Sequence, residues 1–208
     1  MNDNFHYAAY SYLDQWMSKD KRFHDVLAFE TQDAVSGTSG RECLVEFATY
    51  YGVIRTLRVT AEAFRLQGAY EALCATRIPR GADVVEMVCE FARALGDRYG
   101  ALPLSAASKF LWVRFRSPVV VYDMLVSDGL HLRYGYKYDG YPNYYKIWTT
   151  SYRENEERIR EACNELNAIK KFTLASEVPQ KDLSELISRQ WFMERVFDHA
   201  MQMPPISG

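Results

Sequence analysis

Apolar positions in this chain recur at spacings of three and four far more often than at two, a pattern that predicts helices and little strand. The clearest run is 82–95, where Val84, Val85, Val88, Phe91, Ala92 and Leu95 fall on one helical face. The same periodicity predicts helices over 5–17 and 22–29, then over 42–73 with a break near Gly52. Towards the C-terminus, 144–171 carries Ile147, Trp148, Tyr152, Ile159, Ala162, Cys163 and Leu166 as a stripe to bury. A terminal helix is predicted over 182–201, preceded by Pro179 and stopped by Pro204 and Pro205. Two stretches read as loops by composition: DAVSGTSG at 33–40, and YGYKYDGYPNYY at 134–145, where Gly135, Gly140 and Pro142 interrupt six tyrosines. An all-α protein follows, as one domain or two interleaved lobes.

Composition permits a real core. The 208 residues are 48% hydrophobic and 25% charged, enough for one large domain or two small ones. With 25 Lys and Arg against 27 Asp and Glu, bulk charge is excluded as a means of holding nucleic acid, so any phosphate-binding surface is local. The best place for one is 101–150, where Lys109, Arg114, Arg116, Arg133, Lys137 and Lys146 outnumber Asp123, Asp128 and Asp139. No basic leader segment precedes an apolar run at the N-terminus, and nothing approaches the ~20 apolar residues of a membrane span, so the expectation is a cytoplasmic protein without membrane contact. Cys43, Cys74, Cys89 and Cys163 lie far apart, without a CxxC pair or an adjacent histidine, and read as reduced core thiols. His6, His24, His131 and His199 show no metal-ligand spacing, and no phosphate loop, nucleophile elbow or dinucleotide fingerprint occurs. No metal and no cofactor is expected.

The most informative segment is 102–130, LPLSAASKFLWVRFRSPVVVYDMLVSDGL. Pro103 and Ser105 mark a helix start, 106–115 makes about three turns, and Pro118 forbids continuation. Lys109 therefore stands in the first turns of this helix. Val119, Val120 and Val121 are β-branched and extended, and Asp123 follows where a new helix ending near Gly129 begins. A carboxylate there caps the helix and meets the positive end of its dipole.

This segment resembles the catalytic element of the helix-hairpin-helix DNA glycosylases, the superfamily of endonuclease III and the 8-oxoguanine glycosylases. In that family a hairpin of the form Leu-Pro-Gly-x-Gly-x-Lys opens a helix, and an apolar stretch then leads to an Asp at the next helix start. Lys109 matches the lysine and Asp123 the aspartate. Ser105 and Ala107 stand at the hairpin glycines, Met124 and Leu125 replace the usual Thr-His, and the cysteines of an iron–sulfur cluster are absent. The resemblance covers about 30 residues and implies a two-lobed, all-α fold for 1–208 as a single glycosylase-like unit, with the hairpin element at about 100–130. It implies excision of a modified base from double-stranded DNA by a monomeric enzyme. Asp123 stabilises the positive sugar as the base leaves, and Lys109 attacks the anomeric carbon or activates water.

Around that pair, the resemblance puts the hairpin residues Ser105, Ala107 and Ser108 on a phosphate, with Arg114 and Arg116 closing the helix as further phosphate contacts. A flipped base needs aromatic faces and polar edges, for which the candidates are Trp112, Tyr122, Tyr136, Tyr138 and Tyr141, with core packing as the favoured alternative for Trp112 and a self-packed loop as an equal alternative for the tyrosines of 134–145. An aromatic loop over 134–145 would suit an enlarged base carrying a sugar, such as glucosylated hydroxymethylcytosine of phage DNA, ahead of an oxidised base such as 8-oxoguanine. Arg55, Arg58 and Arg65 follow helical spacing and read as a solvated face or a second phosphate contact. The alternative to the enzyme is a helical module that binds nucleic acid or a partner without chemistry, a reading favoured by the missing hairpin glycines.

Overall fold

A computed structural model describes residues 4–28, 38–59, 63–77, 83–100, 102–137 and 139–204. The described residues form helices and no strand. In chain order these are α1 (Phe5–Gln15), α2 (Lys21–Leu27), α3 (Thr38–Tyr50), α4 (Val53–Leu57), α5 (Gln67–Ala75), α6 (Val84–Tyr99), α7 (Leu104–Phe115), α8 (Met124–Tyr134), α9 (Gly140–Ile169), α10 (Gln180–Ile187) and α11 (Gln190–Gln202). A π turn, Trp16–Asp20, follows α1, and 3-10 turns occupy Ala63–Leu66 and Lys170–Phe172. No helix among the described residues is long and apolar enough to cross a membrane. Two compact units divide the chain: a middle unit, Lys21–Tyr122, and a terminal unit that joins Met1–Asp20 to Asp123–Gly208.

Each unit is built around one helix that is buried on nearly every side. In the middle unit this is α7, where every residue from Ala106 to Arg114 is buried and α2, α4 and α6 pack around it. Phe110 meets Phe47 of α3, which in turn stands edge-on to Phe23 of α2. In the terminal unit it is α11, enclosed by α1, α8, α9 and α10. There Phe197 sits edge-on to Trp148 and Tyr152 of α9, while Phe192 packs on Tyr12 of α1. With every residue of 106–114 buried, α7 carries no amphipathic stripe.

Where one face meets water the periodicity holds. Asp83 caps α6, accepting from the amides of Val85 at 2.8 Å and Glu86 at 3.2 Å, and Gly100 ends it in the left-handed conformation. The predicted break at Gly52 separates α3 from α4, with Gly52 at φ +68°. The long segment 42–73 is broken further at Arg58, itself left-handed, and resumes as the 3-10 turn before α5.

Four boundaries differ from the expectation. Thr38–Gly40 belong to α3 rather than to the loop at 33–40, of which 33–37 lie outside the described residues. The helix read over 182–201 is two: Arg189 is extended (φ −68°, ψ 134°), Ser188 bonds back to Glu185 O, and the break gives α11 a direction of its own. The second hairpin helix does not end near Gly129 but runs to Tyr134, and Gly135 terminates it. Of the tyrosine-rich loop, Tyr134 belongs to α8 and 140–145 to α9, so that 135–137 and 139 are the described residues outside a helix. Pro142 sits in the first turn of α9, where the missing N–H would have had no helical acceptor.

Candidate active site on two successive helices

Lys109 belongs to the middle unit. Its side chain runs through the core, 8% exposed, and its Nζ donates to the carbonyl of Tyr51 at 3.2 Å. Tyr51 follows the end of α3, and its ring packs against Phe47, Tyr50 and Trp112. The lysine is thus held by its length in apolar surroundings and by its tip on one backbone oxygen. Trp112 is 2% exposed, one turn further along α7, and stands edge-on to His24 with ring centroids 5.0 Å apart. This places Trp112 among the core aromatics of the middle unit, as a desolvating neighbour and not as an open stacking face.

The hairpin positions are occupied differently from a phosphate clamp. The Ala107 amide donates to Pro103 O at 2.9 Å, and the side chain is buried. Ser108 is fully buried; its hydroxyl donates to Ser105 O at 3.2 Å and accepts the amide of Tyr122 at 2.9 Å. Of the three, only Ser105 keeps partial exposure. In place of a ligand contact, Ser108 pins the residue before Asp123 to the residue before Lys109. Tyr122 itself is half-buried.

Arg114 does not face outward from the end of α7. It is 8% exposed, with its guanidinium over the Phe115 ring at 4.8 Å. Burial, with Arg77 adding like charge, lowers its pKa. Arg116 leaves the helix at φ +58° and ψ −134°, an uncommon conformation for a side-chain-bearing residue. Its Nε donates to Nδ1 of the buried His24 at 3.2 Å. His24 therefore joins Trp112 to Arg116, a role that its isolation in the sequence conceals.

Asp123 opens the terminal unit and caps α8 as expected: Oδ1 accepts from the Leu125 amide at 3.0 Å. Its backbone is hydrogen-bonded by Tyr144 of α9, a fully buried phenol whose pKa burial pushes well up. The same phenol lies in the field of Asp198 on α11. Asp198 accepts from Trp148 Nε1 at 2.7 Å and from Arg195 Nη1 at 2.5 Å, yet burial outweighs both and pushes its carboxyl up to about 6. Met124 and Leu125, 69% and 60% exposed, flank the Asp123 carboxylate with apolar side chains.

The aromatic candidates of the terminal unit are dispersed. Tyr141 is fully buried beside Tyr144 and Tyr145, as part of the α9 core and not of a loop wall. Tyr136 is exposed in the shortened loop and stacks on Tyr134, whose hydroxyl accepts from Asn155 at 2.9 Å. Tyr138 lies outside the described residues. Among the described residues no group of three or more His, Cys, Asp or Glu is placed to hold a metal. Burial pushes the Cys43 thiol up to about 11 and that of Cys163 to about 12, which makes both poor nucleophiles.

Compared with models of known protein families, with curated proteins and with solved structures, the chain matches none.

Proposed function

We propose that this chain is a DNA glycosylase of the helix-hairpin-helix type, which flips a modified base out of the duplex and cleaves its N-glycosidic bond. The observation that carries the reading is local. An inward-lying lysine on one helix and a capping aspartate on the next are joined by an extended apolar segment, and the Ser108 hydroxyl holds that segment at Tyr122. Departure of the base leaves positive charge on the sugar, and the Asp123 carboxylate, kept in place by its cap bond, stabilises that charge. The Lys109 amine adds to C1′ as the base leaves with a proton. The sugar ring then opens, O4′ takes a proton, and a Schiff base links C1′ to Nζ. β-Elimination of the 3′ phosphate from this species nicks the strand.

The substrate class is a modified base in double-stranded DNA, either a hypermodified cytosine of phage DNA, in an antiviral role, or an oxidised purine. With Tyr141 and Tyr144 in the core, the aromatic argument for a sugar-bearing base rests on Tyr136 and the short loop around it.

Borohydride trapping on duplexes carrying 8-oxoguanine, uracil, hydroxymethylcytosine or glucosylated hydroxymethylcytosine tests the reading. The expected result is an adduct with one of these duplexes that Lys109→Ala abolishes, and loss of alkali-labile sites in Asp123→Asn. Alkali-labile sites without an adduct would assign water as the nucleophile. If no duplex acquires abasic sites, the chain is a binding module and the proposal is wrong.

A further inference from the structure

The terminal unit carries an apolar surface that the chemistry above does not use. It lies where α9 ends, on the 3-10 turn Lys170–Phe172 and the residues that follow. Two bonds from α1 fix this turn. The Tyr10 hydroxyl donates to the Phe172 carbonyl at 3.3 Å, and Asp14 Oδ1 accepts the Leu174 amide at 3.0 Å.

Within the turn the usual order of a protein surface is reversed. Thr173 and Ala175 are buried, the Thr173 hydroxyl donating to Lys170 O at 2.8 Å and accepting the Ala175 amide at 3.1 Å. Phe172 and Leu174, by contrast, are 69% and 59% exposed, and Ile169 at the end of α9 is exposed as well. The polar side chain thus faces the protein and the large apolar ones face water. Single exposed apolar residues are ordinary, whereas three within 169–174, on a turn held in place from α1, mark a contact surface.

The charges on this surface are positive. Lys171 Nζ lies 4.8 Å from the Phe172 ring centroid, and no ion pair among the described residues takes up Lys170 or Lys171. The neighbouring carboxylates are engaged elsewhere, Asp14 with the Leu174 amide and Glu165 with His6 at 3.0 Å. Tyr7, one turn before Tyr10 on α1, is exposed and adds an aromatic ring with a polar tip.

We propose that this turn docks the chain on an anionic lipid bilayer. Ile169, Phe172 and Leu174 enter the boundary between headgroups and acyl chains, Lys170 and Lys171 meet the anionic headgroups, and Tyr7 sits at headgroup level. Charge selects an anionic surface. Size selects lipid over protein, because a stable protein interface takes roughly 20–30 residues a side, whereas a bilayer receives a few apolar side chains without a matching groove. Spanning a bilayer takes ~20 apolar residues in a row, so the missing span does not bear on a contact of this kind.

The test is flotation of the full chain with vesicles of phosphatidylcholine alone and of phosphatidylcholine mixed with phosphatidylserine. Binding to the mixed vesicles is expected, and it should weaken as salt is raised. Lys170→Gln and Lys171→Gln should each lower the partition coefficient about fivefold. Phe172→Ser should lower it about tenfold or more, and Phe172→Trp should keep it. Leu132→Ser, which removes an equally exposed apolar side chain of α8, should change nothing. All these residues lie at the surface, so urea midpoints should match the wild type. No binding by the wild type, equal binding to both vesicle types, or equal losses in Phe172→Ser and Leu132→Ser would overturn the surface. A chain that sediments as a dimer without lipid, and as a monomer in Phe172→Ser, would assign a second copy and overturn the lipid. None of these readouts involves DNA, so the lipid surface and the glycosylase stand or fall separately.

Discussion

The same change, glycine to alanine inside a helix, should be costly at Gly129 and nearly neutral for stability at Gly68. At Gly129 of α8, a Cβ would stand 1.8 Å from the Met201 carbonyl oxygen and 2.7 Å from its carbon. Real Cβ contacts essentially never fall below 3.0 Å, so α8 and the end of α11 must part by more than 1 Å. Arg133, one turn along α8, depends on that distance. Its Nη1 donates to Gly129 O and Met201 O at 3.3 Å, and its Nη2 to Ala200 O at 2.9 Å and Met203 O at 2.7 Å. The carbonyls of Ala200, Met201 and Met203 lie at the C-terminal end of α11, where a buried guanidinium supplements the few amides left to bond them. Overpacking costs about 1–3 kcal/mol. Each charge-assisted bond stretched beyond reach adds ~1.5–3 kcal/mol, and better helix propensity returns up to about 1 kcal/mol. The net expectation is a loss of roughly 3–5 kcal/mol, a large part of the ~5–15 kcal/mol that holds a domain together. At Gly68 the nearest atoms are the flexible end of Arg98, so Gly68→Ala should leave stability within about 1 kcal/mol of wild type. Urea unfolding followed by tryptophan fluorescence reads the difference, since Trp16, Trp148 and Trp191 lie in the terminal unit with Gly129 and Trp112 in the middle unit with Gly68. Equal midpoints for the two variants, at unchanged m, would refute the close-packing account.

Further predictions follow from the buried polar groups. Ser108→Ala removes the acceptor of the Tyr122 amide and should cost about 1–3 kcal/mol in urea unfolding, with a larger fall in single-turnover excision than in duplex affinity; a midpoint equal to wild type would show that the tether is dispensable. Tyr144→Phe deletes the hydroxyl that bonds the Asp123 backbone and should lower the excision rate several-fold at unchanged duplex affinity, and an unaltered rate would detach α9 from the site. Burial, and then the Arg195 charge, pushes His199 down to about 3, so its contribution to stability is complete above about pH 6.5 and is lost as pH falls towards 3. His199→Gln should flatten that acid limb, whereas Asp198→Asn should remove the opposite trend, a contribution present below about pH 4 and lost as pH rises through 6; difference curves without slope would contradict both assignments.

Legibility followed the range of the interaction. The cap at Asp123 was readable because it is a bond between neighbours in the chain, and the stripe of α6 because one face of that helix meets water. The burial of α7 was hidden for the converse reason: with no solvent face there is no period to detect, and Arg114 there, like Arg195 and Asp198 of α11, looks like a surface residue until the surrounding helices are in place. Composition misled at 140–145, where Gly140 and Pro142 suggested a loop, although proline costs nothing in the opening turn of a helix. The break between α10 and α11 has neither glycine nor proline to announce it.

The candidate site divides along the same line. Lys109 and Asp123 stand out through their local setting, but what surrounds each of them comes from distant parts of the chain: Tyr51 for the lysine, His24 for Trp112 and Arg116, Tyr144 for the aspartate. None of these carries a spacing that ties it to its partner, because helix packing and not helix period brings them together. Ser108 is the one supporting residue adjacent to the chemistry, and its tether was disguised as a hairpin position. The Ser108 hydroxyl, bonded to both Ser105 O and the Tyr122 amide, therefore does structural work in this chain that a phosphate clamp would leave undone.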